Sequence, residues 1–398
     1  MDKSSLLHSL KEEVANGYRF LFANAWSGYM AGILIAVLAL MILLWNGMWG
    51  ISGGYRNWGN WFYYLIGLGT ERPLTPWMDP HSVTNLAIFA GALASALLSR
   101  QFSVRRAPRR EYAKGMIGGI LMGAGAALAG GCNVGGFYSA IGVFSMGGYT
   151  MMFGLGLGAW MGLKVLLWEM EHLPATAVCT IEDEGNRRWS AVWQSFQPAA
   201  GIVLLLFMII AVYLYGAVDQ ALVGGLLIFG LLIGVVMHRS RFCFVRAFRD
   251  PFMTGEAEMV KVVSLSLMVY GLGSAVIKWN YIQPDTMGVF HPFWLGSLLG
   301  GTIFGLGMLL AGGCASSTLW RLAEGHTKLG ITLISFALTN AAAMRFIESY
   351  DIRHYLGKGL YLPGVFSWQL GIPLFMAILL LWTLMAAWNE KTEKLVIF

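Results

Sequence analysis

The sequence predicts an all-α polytopic membrane protein of nine to ten transmembrane helices with an inverted internal repeat. Three observations predict it: the chain is poor in charge, its charge-free stretches are long enough to cross a bilayer, and one fifteen-residue segment occurs twice. Of 398 residues, 57% are hydrophobic and 12% are charged, about half the charged share of an ordinary globular chain. A bilayer-spanning helix needs roughly 20 mostly apolar residues. Stretches without Asp, Glu, Lys or Arg reach or exceed that length at 20–55, 115–163, 189–218, 286–320 and 359–389. Those proportions exclude a substantial soluble domain. A cleaved secretory signal supplies a single short apolar stretch, whereas here a charged leader (Lys11, Glu12, Glu13, Arg19) precedes an uncleaved first span.

Ten spans follow in order: 27–46, 83–99, 113–131, 149–168, 199–216, 221–238, 260–278, 293–313, 329–346 and 370–388. The Trp- and Tyr-rich stretch 58–64 reads as an interfacial segment, since aromatic rings favour the headgroup layer. The basic residues cluster in short loops after the second span (Arg100, Arg105, Arg106, Arg109, Arg110) and the sixth (Arg239, Arg241, Arg246, Arg249). Alternating spans from a cytoplasmic N-terminus puts both loops, and the C-terminus, inside. That agrees with the positive-inside rule and assigns the net charge of +6 to topology; no nucleic-acid partner is called for. The lipid bilayer is the surrounding partner. Residues 171–195 form the one extended hydrophilic connection. They divide a single transport domain, 1–398, into approximate half-repeats at 1–180 and 196–398.

The repeat pairs residues 118–132 with 300–314 without gaps. Nine of fifteen positions are identical, ending in the shared Leu-Ala-Gly-Gly-Cys of Cys132 and Cys314. One copy runs outward and the other inward under the topology above, the arrangement from which transporters build a site near the midplane. The stretch 133–148 after Cys132 carries no charge, and it is too apolar for a solvated loop and too short to span. It reads as a re-entrant half-helix, which is tolerated at depth only where protein buries it or a cavity is lined by it. Gly131 and Gly313 allow the elbow, and Asn133 offers an amide beside the first cysteine. A third cysteine, Cys243, lies in the Arg-Phe-Cys-Phe sequence after the sixth span, where Arg241 and Arg246 would draw anions. Cys179 stands in the hydrophilic loop without a counterpart and reads as a bystander.

At these residues the chain resembles the YeeE/YedE family of bacterial inner-membrane sulfur transporters. Ala-Gly-Gly-Cys132-Asn133, Arg-Phe-Cys243-Phe with Phe248-Arg249-Asp250 and Thr254-Gly255 behind it, and Ala-Gly-Gly-Cys314 carry the resemblance. It implies an hourglass-like helical bundle in which thiosulfate passes between the thiols of Cys132, Cys243 and Cys314. The length, and the stretch from Phe248 to Gly255, are closer to the longer YedE branch associated with selenium metabolism, so a related selenium compound is a second candidate substrate. A cytosolic sulfur-carrier protein is a candidate partner.

A thiol suits this role because a neutral S–H is a weak donor that solvates a terminal sulfur without holding it fast, and conduction needs sites that bind and release. No acidic residue lies deep in a span, so a carboxylate proton relay is not evident. An enzyme reading, a membrane thiol-disulfide oxidoreductase, would want a CxxC pair, and the sequence has none; no cofactor is implied. A soft-metal carrier would suit three thiolates, but the 22 methionines do not cluster beside the cysteines, and no metal site is assigned.

Overall fold

A computed structural model describes residues 12–13, 16–18, 21–22, 24–69, 71–172 and 184–397, and for 184–192 the backbone alone. Among them are ten helices long and apolar enough to cross a membrane, and each of the ten spans read from the sequence falls on one. The chain is an all-α multi-pass membrane protein.

The order of elements runs twice through one pattern. The first pass is α1 (Gly28–Trp45), the shorter α2 (Ser52–Leu65), α3 (Pro80–Leu98), α4 (Arg109–Ala129), a short helix α5 that starts as a π-turn over Asn133–Ser139 and continues through Ala140–Gly142, α6 (Met146–His172) and α7 (Glu184–Ala217). The second is α8 (Ala221–Ser240), the shorter α9 (Phe244–Met253), α10 (Glu258–Trp279), α11 (Leu295–Ala311), the shorter α12 (Ala315–Ala323) and α13 (Thr327–Ser349). A single turn, α14 (Arg353–Leu356), then leads to α15 (Leu362–Thr392), which is interrupted at Ser367.

The boundaries have local causes. Asp79 caps α3 by accepting the Ser82 N–H at 2.7 Å, with Pro80 in the first turn, where its missing N–H costs nothing. α4 and α11 both stop at a glycine in the left-handed region, Gly130 at φ +72° and Gly312 at φ +73°, the conformation that ends helices and that glycine adopts without strain.

Small residues let the helices approach backbone to backbone, since lipid gives little hydrophobic drive for helix association. A Cβ placed on Gly118 would stand 2.6 Å from the Gly307 carbonyl and the Ala311 nitrogen, and one on Gly300 would stand 2.6 Å from the Gly125 carbonyl and the Ala129 nitrogen. These contacts pair the start of each repeat with the end of the other. α4 and α11 therefore cross antiparallel, with contacts that match under exchange of the two copies. α6 and α13 flank this central pair, α3 packs on α8, and α1 on α10. Buried residues make up 78% of the α3 window but only 6% of that in α7, so α3 is core and α7 presents Val203, Phe207, Ile209 and Tyr213 outward, as a lipid-facing helix does.

Two segments carry helix that the sequence reading did not assign. Residues 58–64, expected as an interfacial stretch, form the second half of α2, a helix packed on α3 and α13. Its Gly54, Tyr55, Asn57 and Gly59 are buried, while Phe62 and Leu65 at its far end are exposed. The hydrophilic connection expected at 171–195 is helical at both described ends: α6 continues to His172 and α7 begins at Glu184. Residues 173–183, with Cys179, lie outside the described residues.

Candidate functional site

Three cysteines occupy the same local position. Cys132 precedes α5, Cys243 precedes α9 and Cys314 precedes α12, each as the extended residue at the N-terminus of a short helix. Cys132 and Cys314 share nearly the same backbone angles, φ −78°, ψ −177° and φ −90°, ψ −178°. The duplicated Gly-Gly-Cys is therefore a duplicated elbow. Gly131 is required in it, because a Cβ there would stand 2.7 Å from the Gly136 nitrogen. At Gly313 the nearest atoms, Leu329 Cδ2 and Ser317 Oγ, would stand at 3.2 Å, tight but adjustable.

Each sulfur faces backbone N–H groups. Cys132 is approached by those of Val134 and Gly135 on its own short helix and by those of Ile51 and Ser52 at the start of α2. Cys314 lies among hydroxyls: its Sγ is 3.3 Å from Ser316 Oγ and 3.3 Å from Ser317 Oγ, and its N–H donates to Ser317 Oγ at 2.7 Å. The Cys243 side chain meets that of Cys314, and both are free thiols. Among the described residues no three His, Cys, Asp or Glu side chains are grouped so as to hold a metal ion; Cys132 thus stands apart from the Cys243–Cys314 pair.

Tyr55 joins the two parts. It is 1% exposed, its hydroxyl donates to the Ala315 carbonyl at 2.9 Å, and it lies within electrostatic reach of both Cys132 and Cys314. Asn133 is fully buried with neither amide atom hydrogen-bonded; a buried amide left unpaired costs about 1–3 kcal/mol. The cysteines are closed off from solvent, Cys132 and Cys314 at 0% and Cys243 at 7% exposure.

The arginines beside Cys243 are engaged. Arg241 reaches Glu324 Oε2 at 2.7 Å and Gln101 Oε1 at 3.1 Å, and Arg246 reaches Asp250 at 2.8 Å and Glu256 at 3.5 Å. Glu324 is an acid that hydropathy hides, lying one residue beyond the end of α12 yet 1% exposed. Burial alone would raise its carboxyl, but the Arg241 hydrogen bond and the charges of Arg241 and Arg105 hold it below the usual range. Arg105 is 3.5 Å from the same carboxylate, and its N–H donates to the Gly325 carbonyl at 2.8 Å. The loop after α3, the Cys243 elbow and the α12–α13 turn are thereby tied together.

A ten-span bundle with antiparallel repeats and buried cysteine elbows at the starts of short helices defines a polytopic membrane transporter. Residues 3–161 and 239–397 match the Sulphur transport family, and the chain belongs to that family. It is 28% identical over 334 residues to the probable transporter YedE of Escherichia coli K12, covering 77% of this chain and 79% of the relative. It is also similar to two proteins named thiosulfate transporter TsuA. One, from Escherichia coli K12, is 33% identical over 42% of this chain and 48% of its own; the other, from Spirochaeta thermophila, is 36% identical over 29% and 34%.

Proposed function

We propose that this chain carries a small sulfur-containing anion, thiosulfate or a related selenium compound, into the cytoplasm across the bacterial inner membrane, handing it between the thiols of Cys132, Cys314 and Cys243. The N- and C-termini are cytoplasmic, residues 1–180 and 196–398 are the two half-repeats, and a cytosolic sulfur-carrier protein receives the product. The reading rests above all on the duplicated elbow, which sets Cys132 and Cys314 at the starts of two short helices with matching backbone. The family and the relatives named as thiosulfate transporters support the substrate class.

The chemistry follows from the surroundings. Helix N-termini carry partial positive charge and spare N–H groups, and those of α2, α5, α9 and α12 lie beside the thiols, so an anion is favoured without a fixed countercharge that would retain it. Each neutral S–H offers a weak hydrogen bond to a terminal sulfur, and several weak sites in series permit release. Asn133 supplies an amide to the anion's oxygens, and the glycines Gly131 and Gly313 permit close approach of backbone. Arg241 and Arg246, already paired with acids, hold the Cys243 elbow as much as they attract anions. No bond of the substrate need break, and no enzyme turnover is required.

The experiment is uptake by Cys132→Ala and Cys314→Ala variants that retain the folded, monodisperse state: each is expected to abolish uptake, and full uptake by both would refute the relay. One observation favours a second reading. The contact of Cys243 with Cys314 is the close thiol pair a thiol-disulfide oxidoreductase would use. Alkylation of the resting and transporting protein separates the two, since an oxidoreductase cycles through a disulfide whereas a conduit keeps both thiols free.

A further inference from the structure

On the Cys132 side of the bundle lies a cavity of about 750 Å³. Its wall includes Gly131, Ser52 and Gly135, the residues that flank Cys132 or present N–H groups to its sulfur. The cavity therefore ends one residue from the thiol. Its other lining residues come from the connections after α1, before α3 and before α11, and from the ends of α2, α3, α4 and α13 next to them, on the side opposite the basic loops.

Two guanidinium groups, those of Arg56 and Arg353, stand in this wall. Among the described residues neither is engaged in an ion pair or hydrogen bond. The contrast with the opposite side is sharp, since there Arg241 and Arg105 share Glu324, and Arg246 and Arg249 share Asp250. The carboxylate in the cavity wall, Asp79, already accepts the Ser82 N–H at 2.7 Å. Arg56 sits one turn into α2 and is half-buried, so its charge is less screened than that of an exposed arginine.

His291 completes the cavity beside the elbow. Its ring is fully buried, neither nitrogen is hydrogen-bonded although the Gly288 carbonyl is near, and Nε2 would lie 3.1 Å from a Cβ on Gly131. Burial pushes its pKa down to about 4, so at neutral pH the imidazole carries one N–H donor and one acceptor, both unused. A buried polar group without partners is destabilising, and here it lies in the cavity wall beside the Gly131–Cys132 elbow.

We propose that Arg56 and His291 form a capture station for an oxyanion with a terminal sulfur, upstream of Cys132. Arg56 draws the anion in and holds its oxygens; the His291 N–H takes one oxygen as the sulfur end turns to the thiol. The station rests on the transport reading above. The test is the initial rate of radiolabelled thiosulfate uptake, against concentration and ionic strength, by cells that lack other thiosulfate uptake. Losing a hydrogen bond to a charged group is worth about tenfold or more in affinity. Arg56→Gln should raise KM about tenfold, leave the maximal rate near that of the unaltered protein and flatten the dependence on salt, while Arg56→Lys restores most of the affinity. His291→Leu should raise KM, and His291→Gln, which keeps an N–H donor, should raise it less. An unchanged KM and salt dependence in Arg56→Gln, with Cys132→Ala inactive, would overturn the station and leave the relay standing. Full uptake by Cys132→Ala would overturn both.

Discussion

The Tyr55 hydroxyl donates to the Ala315 carbonyl at 2.9 Å, joining a short helix near the N-terminus to the residue after Cys314. The Tyr55 ring also packs edge-on against Phe336, with centroids 4.8 Å apart. Tyr55→Phe keeps that packing and removes the one hydrogen bond, worth about 1 kcal/mol. The variant should lose little thermal stability in detergent and a much larger share of its uptake, because the lost bond aligns the Cys314 elbow with α2. Equal uptake by Tyr55→Phe and the unaltered chain would show that the tie is dispensable.

Cys243 and Cys314 meet as free thiols, and mild oxidation should join them. Two equivalents of added copper(II) phenanthroline, each reduced to copper(I), take one electron from each thiol; the two protons pass to water and the S–S bond forms. Uptake should then stop and return on treatment with dithiothreitol, and peptide mass analysis should find the 243–314 linkage. Cys243→Ser should remove the linkage and, as the relay includes this thiol, lower uptake before any oxidant is added.

The parts legible in the sequence are those that leave a one-dimensional trace. Spans are legible because charge exclusion persists over twenty residues, and the elbow because Leu-Ala-Gly-Gly-Cys recurs. α2 left no such trace: Arg56 interrupts its apolar run, and at fourteen residues it is too short for a span, so only its Trp and Tyr residues marked it. The engagement of Arg241 by Glu324 was equally hidden, since those residues are 83 apart. A cluster of arginines has the same appearance in sequence whether free or paired, so the unpaired Arg56 could not be told from the paired Arg241 without coordinates.

The antiparallel crossing of α4 and α11 makes a symmetric prediction. Gly118→Ala and Gly300→Ala each force a Cβ against backbone at 2.6 Å, and overpacking of this kind costs about 1–3 kcal/mol. Both should lower the thermal midpoint in detergent by similar amounts. Gly156→Ala is the control, since a Cβ there would meet nothing within 4 Å. A silent Gly118→Ala would argue against the close crossing.

Glu324 makes stability depend on pH in a defined direction. Its carboxyl is buried, and burial by itself would raise the pKa, but Arg241 and Arg105 hold it below the usual carboxylate range. In the unfolded chain the group titrates near the ordinary value of about 4.3. A depressed folded value means that the unfolded chain binds the proton more readily, so the contribution is fully present above the unfolded pKa and is lost as pH falls through the lower, folded one. Glu324→Gln removes the carboxylate that Arg241 and Arg105 share and leaves them only neutral partners, at a cost of about 1 kcal/mol near neutrality. Thermal denaturation across pH should therefore find the unaltered protein more stable than Glu324→Gln at pH 7, with the gap narrowing only below about 4.3. A gap that stayed constant into acid would mean that the Arg241–Glu324 contact contributes through packing rather than charge.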